Sequence, residues 1–139
     1  MLFALFTKNN ALTVGKRGED EAVRLFKKMH FRILERNYRY SRYEIDFIAA
    51  DRSTIAFVEV KARSYSDPNA PDAQRPSKAI NYDKKQFLIY AAKSYLRQHP
   101  TEKRNPRIDV VEIYFDDNPN VKKKKVLKTN HIPNAFGKY

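Results

Sequence analysis

The chain has 139 residues, with 28 Lys and Arg against 16 Asp and Glu, for a formal charge of +12. That length suits one domain able to bury a core without disulfides or a structural metal, and the positive surplus favours a polyanionic partner, nucleic acid before an anionic membrane. The absence of cysteine fits the cytoplasm and excludes disulfides, Fe–S clusters and cysteine–zinc sites.

Other chemistries fall away with the residues they need. No apolar stretch is long enough to span a bilayer, and Met1–Phe6 lacks the preceding positive segment of a secretory signal. Gly15, Gly18 and Gly137 are the three glycines, too few for a Walker loop or a dinucleotide-binding fingerprint. No Gly-x-Ser-x-Gly elbow is present. His30, His99 and His131 are scattered, which argues against zinc catalysis.

In chain order, residues 1–13 are expected as an N-terminal tail, 14–117 as one compact α/β domain, and 118–139 as a basic C-terminal strand or tail. Gly18–His30 reads as a helix whose apolar stripe is Ala22, Val23 and Phe26. Phe31–Arg39 reads as a strand. A hairpin follows in Tyr43–Arg63, turning at Asp51-Arg52-Ser53. Ser64–Arg75 contains Pro68 and Pro71 and has no apolar periodicity, as in a functional or disordered loop. A second helix is expected over Tyr82–Gln98 with Leu88, Ala91, Ala92 and Tyr95 inside, stopped by Pro100. Arg107–Phe115 is strand-like, and Lys122–Lys125 adds to the positive field.

The hairpin carries charge where burial is expected, and buried charge is costly unless it is paired or holds a metal. A turn at Arg52-Ser53 places Asp46 opposite Glu59 and Glu44 opposite Lys61, with Cβ atoms ~5 Å apart. Two ionised carboxylates at that separation repel by roughly 3 kcal/mol at an effective dielectric of ~20. Glu19 lies in line with the helical stripe and so turns toward the sheet. With Lys61 as the nearby cation, the three carboxylates Glu19, Asp46 and Glu59 leave two negative charges uncompensated, which suits Mg²⁺ or Mn²⁺ with its hard oxygen ligands. Glu44 competes for Lys61 across the same hairpin. A buried ion-pair network without turnover is the alternative for the whole set.

The motifs Gly15-Lys-Arg-Gly-Glu-Asp20, Glu44-Ile-Asp46, Val58-Glu-Val-Lys-Ala-Arg63 and Ile108-Asp-Val-Val111 resemble those of the YraN-like bacterial family. That family is similar to the PD-(D/E)XK nucleases, which have the restriction-endonuclease-like fold and include archaeal Holliday-junction resolvases. The resemblance runs from Val14 to about Phe115. It implies a mixed β-sheet flanked by helices in the order α-β-β-β-α-β. It also implies Glu19, Asp46 and Glu59 as metal ligands, with Lys61 acting beside them in phosphodiester hydrolysis. Three positions depart from the pattern: Ile45 replaces the proline of the superfamily's name, Tyr43 stands where glycine is usual, and Phe87 takes a helix position that is often basic.

Binding is expected to draw on Arg36, Arg39, Arg42 and Arg63 for phosphates, on Tyr38, Tyr40 and Tyr43 for stacking on unpaired bases, and on Lys84 and Lys85 to track the backbone. Three functions follow. The first is a Mg²⁺- or Mn²⁺-dependent DNA endonuclease specific for structure, since no sequence-reading module is recognisable. The second is a nuclease-like module that binds nucleic acid without turnover. The third is an RNA- or ribosome-associated interaction protein. The expected partner is nucleic acid, DNA first, with a second copy of the chain also considered and no membrane.

Overall fold

The computed structural model describes residues 2–66, 69, 75–118, 120 and 123–136, with side chains within that set from Val14 onward except Ala79. Helix α1 spans Leu2–Lys28, followed by strands β1 (Arg32–Tyr40), β2 (Tyr43–Ala50) and β3 (Thr54–Tyr65). A short 3₁₀ turn at Pro76–Ala79 leads into α2 (Tyr82–Gln98), then β4 (Asn105–Asp116) and β5 (Val126–Ile132). This is the expected α/β order with a fifth strand added, and it fits the restriction-endonuclease-like core. The helix starts at Leu2 rather than Gly18, so residues expected as a tail have helical backbone. Gly137, Lys122 and most of the proline-containing loop lie outside the described residues.

Local chemistry sets the element ends. Helix α1 closes with His30 at φ 67, where Phe31 N–H donates to the Phe26 carbonyl and His30 N–H to that of Lys27, both at 3.0 Å. This is a left-handed cap with histidine in the place glycine usually takes. Asn81 caps α2 by accepting from Lys84 N–H at 2.9 Å. Asp51 accepts from Ser53 and Thr54 N–H at 3.0 and 2.8 Å and so forms the β2–β3 turn.

The sheet runs β1-β2-β3-β4-β5. Neighbours are antiparallel except β3 and β4, which α2 joins as a crossover. Ala22, Val23 and Phe26 of α1 pack with Phe47, Ala49, Ala56, Val58, Val111, Ile113 and Phe115 on one face. Leu88, Ala91, Ala92 and Tyr95 of α2 pack with Ile45, Ile48, Ile55, Phe57 and Ile108 on the other. Phe26 has no exposed surface, and burying such a ring contributes ~2–3 kcal/mol. No helix among the described residues is long and apolar enough to cross a membrane.

Candidate active site

The hairpin register matches the sequence reading: Phe47 pairs with Val58 and Ile48 with Phe57. Toward Asp46 the pairing stops, and the Asp46 side chain takes over as acceptor, its Oδ2 receiving Val60 N–H at 2.7 Å. Alternation along β2 breaks at the same place, since Ile45 and Ile48 both reach the α2 face while Phe47 reaches the α1 face. Opposite, Asn37 of β1 has φ 55. Strand irregularities of this kind re-aim side chains beside functional sites.

Into this opening come residues from both layers. Lys16, Glu19, Arg36, Asp46, Glu59 and Lys61 line one cavity of about 530 Å³, so the four expected catalytic residues are brought together. Glu19 arrives from α1. A Cβ on Gly18 would lie 2.6 Å from that of Ala62, so only glycine lets this turn of α1 sit so close to β3. Glu59 and Lys61 follow Phe57 on the α2 side of β3, within reach of Lys84 from the first turn of α2. Lys61 Nζ and Lys84 Nζ lie 3.5 and 3.7 Å from the same oxygen, Glu59 Oε1.

Glu59 is 4% exposed, and its Oε2 has no hydrogen-bond partner, alone among the buried side-chain atoms of the described residues. Burial pushes the Glu59 carboxyl up against the pull of Lys84 and Lys61. Burial, reinforced by the charge of Glu59, pushes Asp46 up to about 7, although Val60 N–H favours its ionised form. Glu19 adds to the same repulsion.

Two expectations are corrected here. Lys61 is not the sole cation: Lys84 joins it, and Arg36 binds Glu19 at 3.1 Å and Asp20 at 2.7 Å. The cluster is therefore much closer to neutral than two uncompensated charges. Glu19 is held toward Arg36, and among the described residues no three acidic or histidine side chains converge as a ready-formed metal cage. Second, the ion pair of Lys61 is with Glu59, because the β2–β3 ladder ends before Glu44 can face Lys61; in the strand register Glu44 stands opposite Arg39 of β1.

The expected binding residues divide. Arg36 and Lys84 are engaged with carboxylates. Arg39, Arg42, Arg63 and Lys85 are exposed, with Arg42 donating to the Tyr43 hydroxyl at 3.0 Å, Arg63 to the Ala62 carbonyl at 2.8 Å and Lys85 over the Phe136 ring. Tyr38 is buried, sharing a 3.2 Å hydrogen bond with Ser94 and packing edge-on to Tyr95, so it belongs to the core. Tyr43 stacks on Phe87 with ring centroids 3.5 Å apart.

A second pair of buried acids, Asp109 and Glu112, stands on β4 outside the expected site residues. Glu112 accepts from Arg75 (2.9 and 3.2 Å), Ser77 N–H (3.1 Å) and Asn130 (2.8 Å). Asp109 accepts from Arg107, from Asn134 N–H and through a 2.8 Å bond with His131. Their signal was legible, since both stand inside the apolar run Arg107–Phe115, as Asp46 and Glu59 stand inside theirs. The donors Arg75, Asn130 and His131 gave none.

Comparison with known proteins places the chain in a family. The chain is 39% identical over 123 residues to a UPF0102 protein of Chlorobium phaeobacteroides strain BS1, covering 88% of this chain and 93% of the relative. It is 36% identical over 129 residues to one from Caldanaerobacter subterraneus, covering 93% and 98%. A third, from Caldicellulosiruptor saccharolyticus, is 39% identical over 127 residues, covering 91% and 99%. The family model described as "Uncharacterised protein family UPF0102" matches residues 18–113, from the glycine of α1 that meets β3 to the last third of β4. The chain belongs to this family, the YraN-like family that its motifs resemble.

Proposed function

We propose that the protein is a cytoplasmic Mg²⁺- or Mn²⁺-dependent endonuclease that hydrolyses phosphodiester bonds in DNA and selects its substrate by structure. The observation that carries this reading is the orphaned Glu59 Oε2 beside an Asp46 whose proton affinity is raised by burial and by Glu59. A buried oxygen without a donor is costly, and hard oxygen donors of this kind fit a divalent cation. Asp46 and Glu59 would hold the ion, with Glu19 as the third carboxylate. When bound, the ion supplies Lewis-acid polarisation of the phosphodiester and offsets the charge developing during displacement. Lys61, an ammonium group at the cavity wall, orients the attacking water or donates to a phosphate oxygen. Arg36 fixes Glu19 from behind. The Glu19, Asp46, Glu59-x-Lys61 series resembles that of the PD-(D/E)XK nucleases, which supports the same chemistry.

A second reading, a nuclease-like module that binds without turnover, is favoured by one observation: Lys61, Lys84 and Arg36 already answer the carboxylates. One experiment separates the two. Purified protein is assayed with Mg²⁺ or Mn²⁺ on single-stranded, duplex, flap and four-way-junction DNA and on RNA. Wild type should cleave DNA, and folded Asp46→Asn, Glu59→Gln and Lys61→Ala should not. The two carboxylate variants should bind DNA equally or more tightly, while Lys61→Ala binds equally or modestly more weakly. Mn²⁺ should raise the melting temperature of wild type but not of Asp46→Asn. Tight binding without cleavage of any substrate would replace the nuclease with the inactive module.

A further inference from the structure

We infer that the outer face of α2, with the Tyr43–Phe87 stack at its flank, forms a binding surface for an unpaired DNA strand. The inference rests on the nuclease reading for DNA as its partner and on the surface itself for its chemistry. Among the described residues, three large apolar side chains remain exposed: Tyr82 at 72%, Tyr90 at 48% and Leu127 at 38%. Tyr82 and Tyr90 are eight residues apart on α2 and therefore share one helical face. Lys93 and Arg97, also exposed, continue that stripe at helical spacing.

Phe87, half-buried at the flank of this face, stacks on Tyr43, the first residue of β2. Arg42 covers the Tyr43 ring at 5.3 Å from its centroid and donates to its hydroxyl. The Tyr43–Phe87 stack joins the two elements that carry Asp46 and Lys84. Phe87 lies three residues beyond Lys84, about 4.5 Å along the helix axis, and Tyr43 lies three residues before Asp46, about 10 Å along the strand.

Exposed aromatic rings interleaved with Lys and Arg match a strand whose bases are free to stack and whose phosphates carry the charge. A duplex keeps its bases stacked on one another and offers such rings only its backbone and edges. Positive charge at Arg42, Lys93 and Arg97 complements a polyanion, in a chain whose formal charge is +12.

The test measures binding of a labelled unpaired oligodeoxynucleotide, its blunt duplex and the RNA of the same sequence, in EDTA so that cleavage plays no part. Wild type should prefer the unpaired DNA. Tyr82→Ala with Tyr90→Ala removes two exposed rings and should weaken binding of unpaired DNA by about 10-fold or more, since each ring is a stacking platform for a base. Duplex binding should change less than about 2-fold and the salt dependence should hold, because no charge is lost. Tyr82→Phe with Tyr90→Phe should bind like wild type, and Lys93→Ala with Arg97→Ala should instead flatten the salt dependence. An equal loss on duplex and single strand, no loss on single strand, or a preference for the RNA would overturn the inference. Cleavage of DNA in the Mg²⁺ or Mn²⁺ assay, with no preference for the unpaired strand in EDTA, would overturn this surface and leave the nuclease reading standing. Ring-dependent binding of unpaired DNA without cleavage of any substrate would leave the surface standing without the nuclease.

Discussion

Glu59 and Glu112 stand on adjacent parallel strands and the same face of the sheet, Glu59 pairing with Val110 and Glu112 with Lys61. Both are buried, yet they behave in opposite ways. Glu112 has donors on both oxygens, and Arg75, Ser77 and Asn130 hold its carboxyl down to about 2 in spite of burial. Glu59 has two ammonium groups crowded on one oxygen and none on the other, and burial pushes its carboxyl up. Burial alone therefore does not set the proton affinity of an acid; the donors on its two oxygens do. A satisfied carboxylate ties β4 to β5 and to the segment before α2. An unsatisfied one is a stability cost, and under the proposed function a bound metal ion is what would offset it.

The largest effect should come from breaking the satisfied side. Glu112→Ala strips the partners from Arg75, Ser77 and Asn130 and should cost about 3 kcal/mol, lowering the melting temperature by on the order of 10 °C. Thermal unfolding of the variant checks this, and an unchanged midpoint would show that the network holds nothing. Gly18→Ala comes next. Its Cβ would fall 2.6 Å from Ala62 Cβ, and forcing α1 away from β3 should cost about 1–3 kcal/mol, more than the ~1 kcal/mol that alanine returns through helix propensity. Because Glu19 moves with that turn, Mn²⁺ should also stabilise this variant less than wild type.

The unsatisfied side should respond with the opposite sign. In EDTA at pH 8, Asp46→Asn should stabilise the protein by about 1–3 kcal/mol, since it removes an ionised group that burial and Glu59 disfavour. The gain should disappear at pH 4. For a carboxyl whose folded pKa is raised, stability is full below its unfolded value near 3.8 and falls as pH rises toward about 7. Glu112 runs the other way: its contribution is present above about 4.5 and fades as pH falls toward about 2. Denaturant midpoints of wild type, Asp46→Asn and Glu112→Ala across pH 3–8 would separate the two slopes. Parallel pH profiles for all three proteins would collapse the distinction between the two acids.

The smallest effect concerns a cation shared by the site. Lys84→Met leaves Glu59 with Lys61 as its ammonium partner and should raise the proton affinity of the Asp46–Glu59 pair. The extra loss of stability between pH 6 and 8 should be about 1 kcal/mol or less, because Lys84 is partly solvated at 3.7 Å from its partner. An unchanged profile would assign Lys84 to the cavity wall alone.

Local features of the fold are written in the order of the residues. The stripe Ala22, Val23 and Phe26, the inner face Leu88, Ala91, Ala92 and Tyr95, and the hairpin register through the Asp51 turn follow from periods of 3.6 and 2 and from short-range turn chemistry. The same locality made Asp46, Glu59 and Lys61 legible as one group. Tertiary structure decided which charges meet. Lys84 reaches Glu59 because α2 crosses over to connect parallel strands, and Arg36 reaches Glu19 because β1 lies under α1; neither spacing encodes the approach. The β4 acids carried the same signal as Asp46 and Glu59, a charge within an apolar run. Their opposite character came from Arg75, Asn130 and His131, 37, 18 and 22 residues distant. Periodicity fixes which face a side chain takes, whereas the proton affinity of a buried carboxylate depends on every donor that folding brings to it.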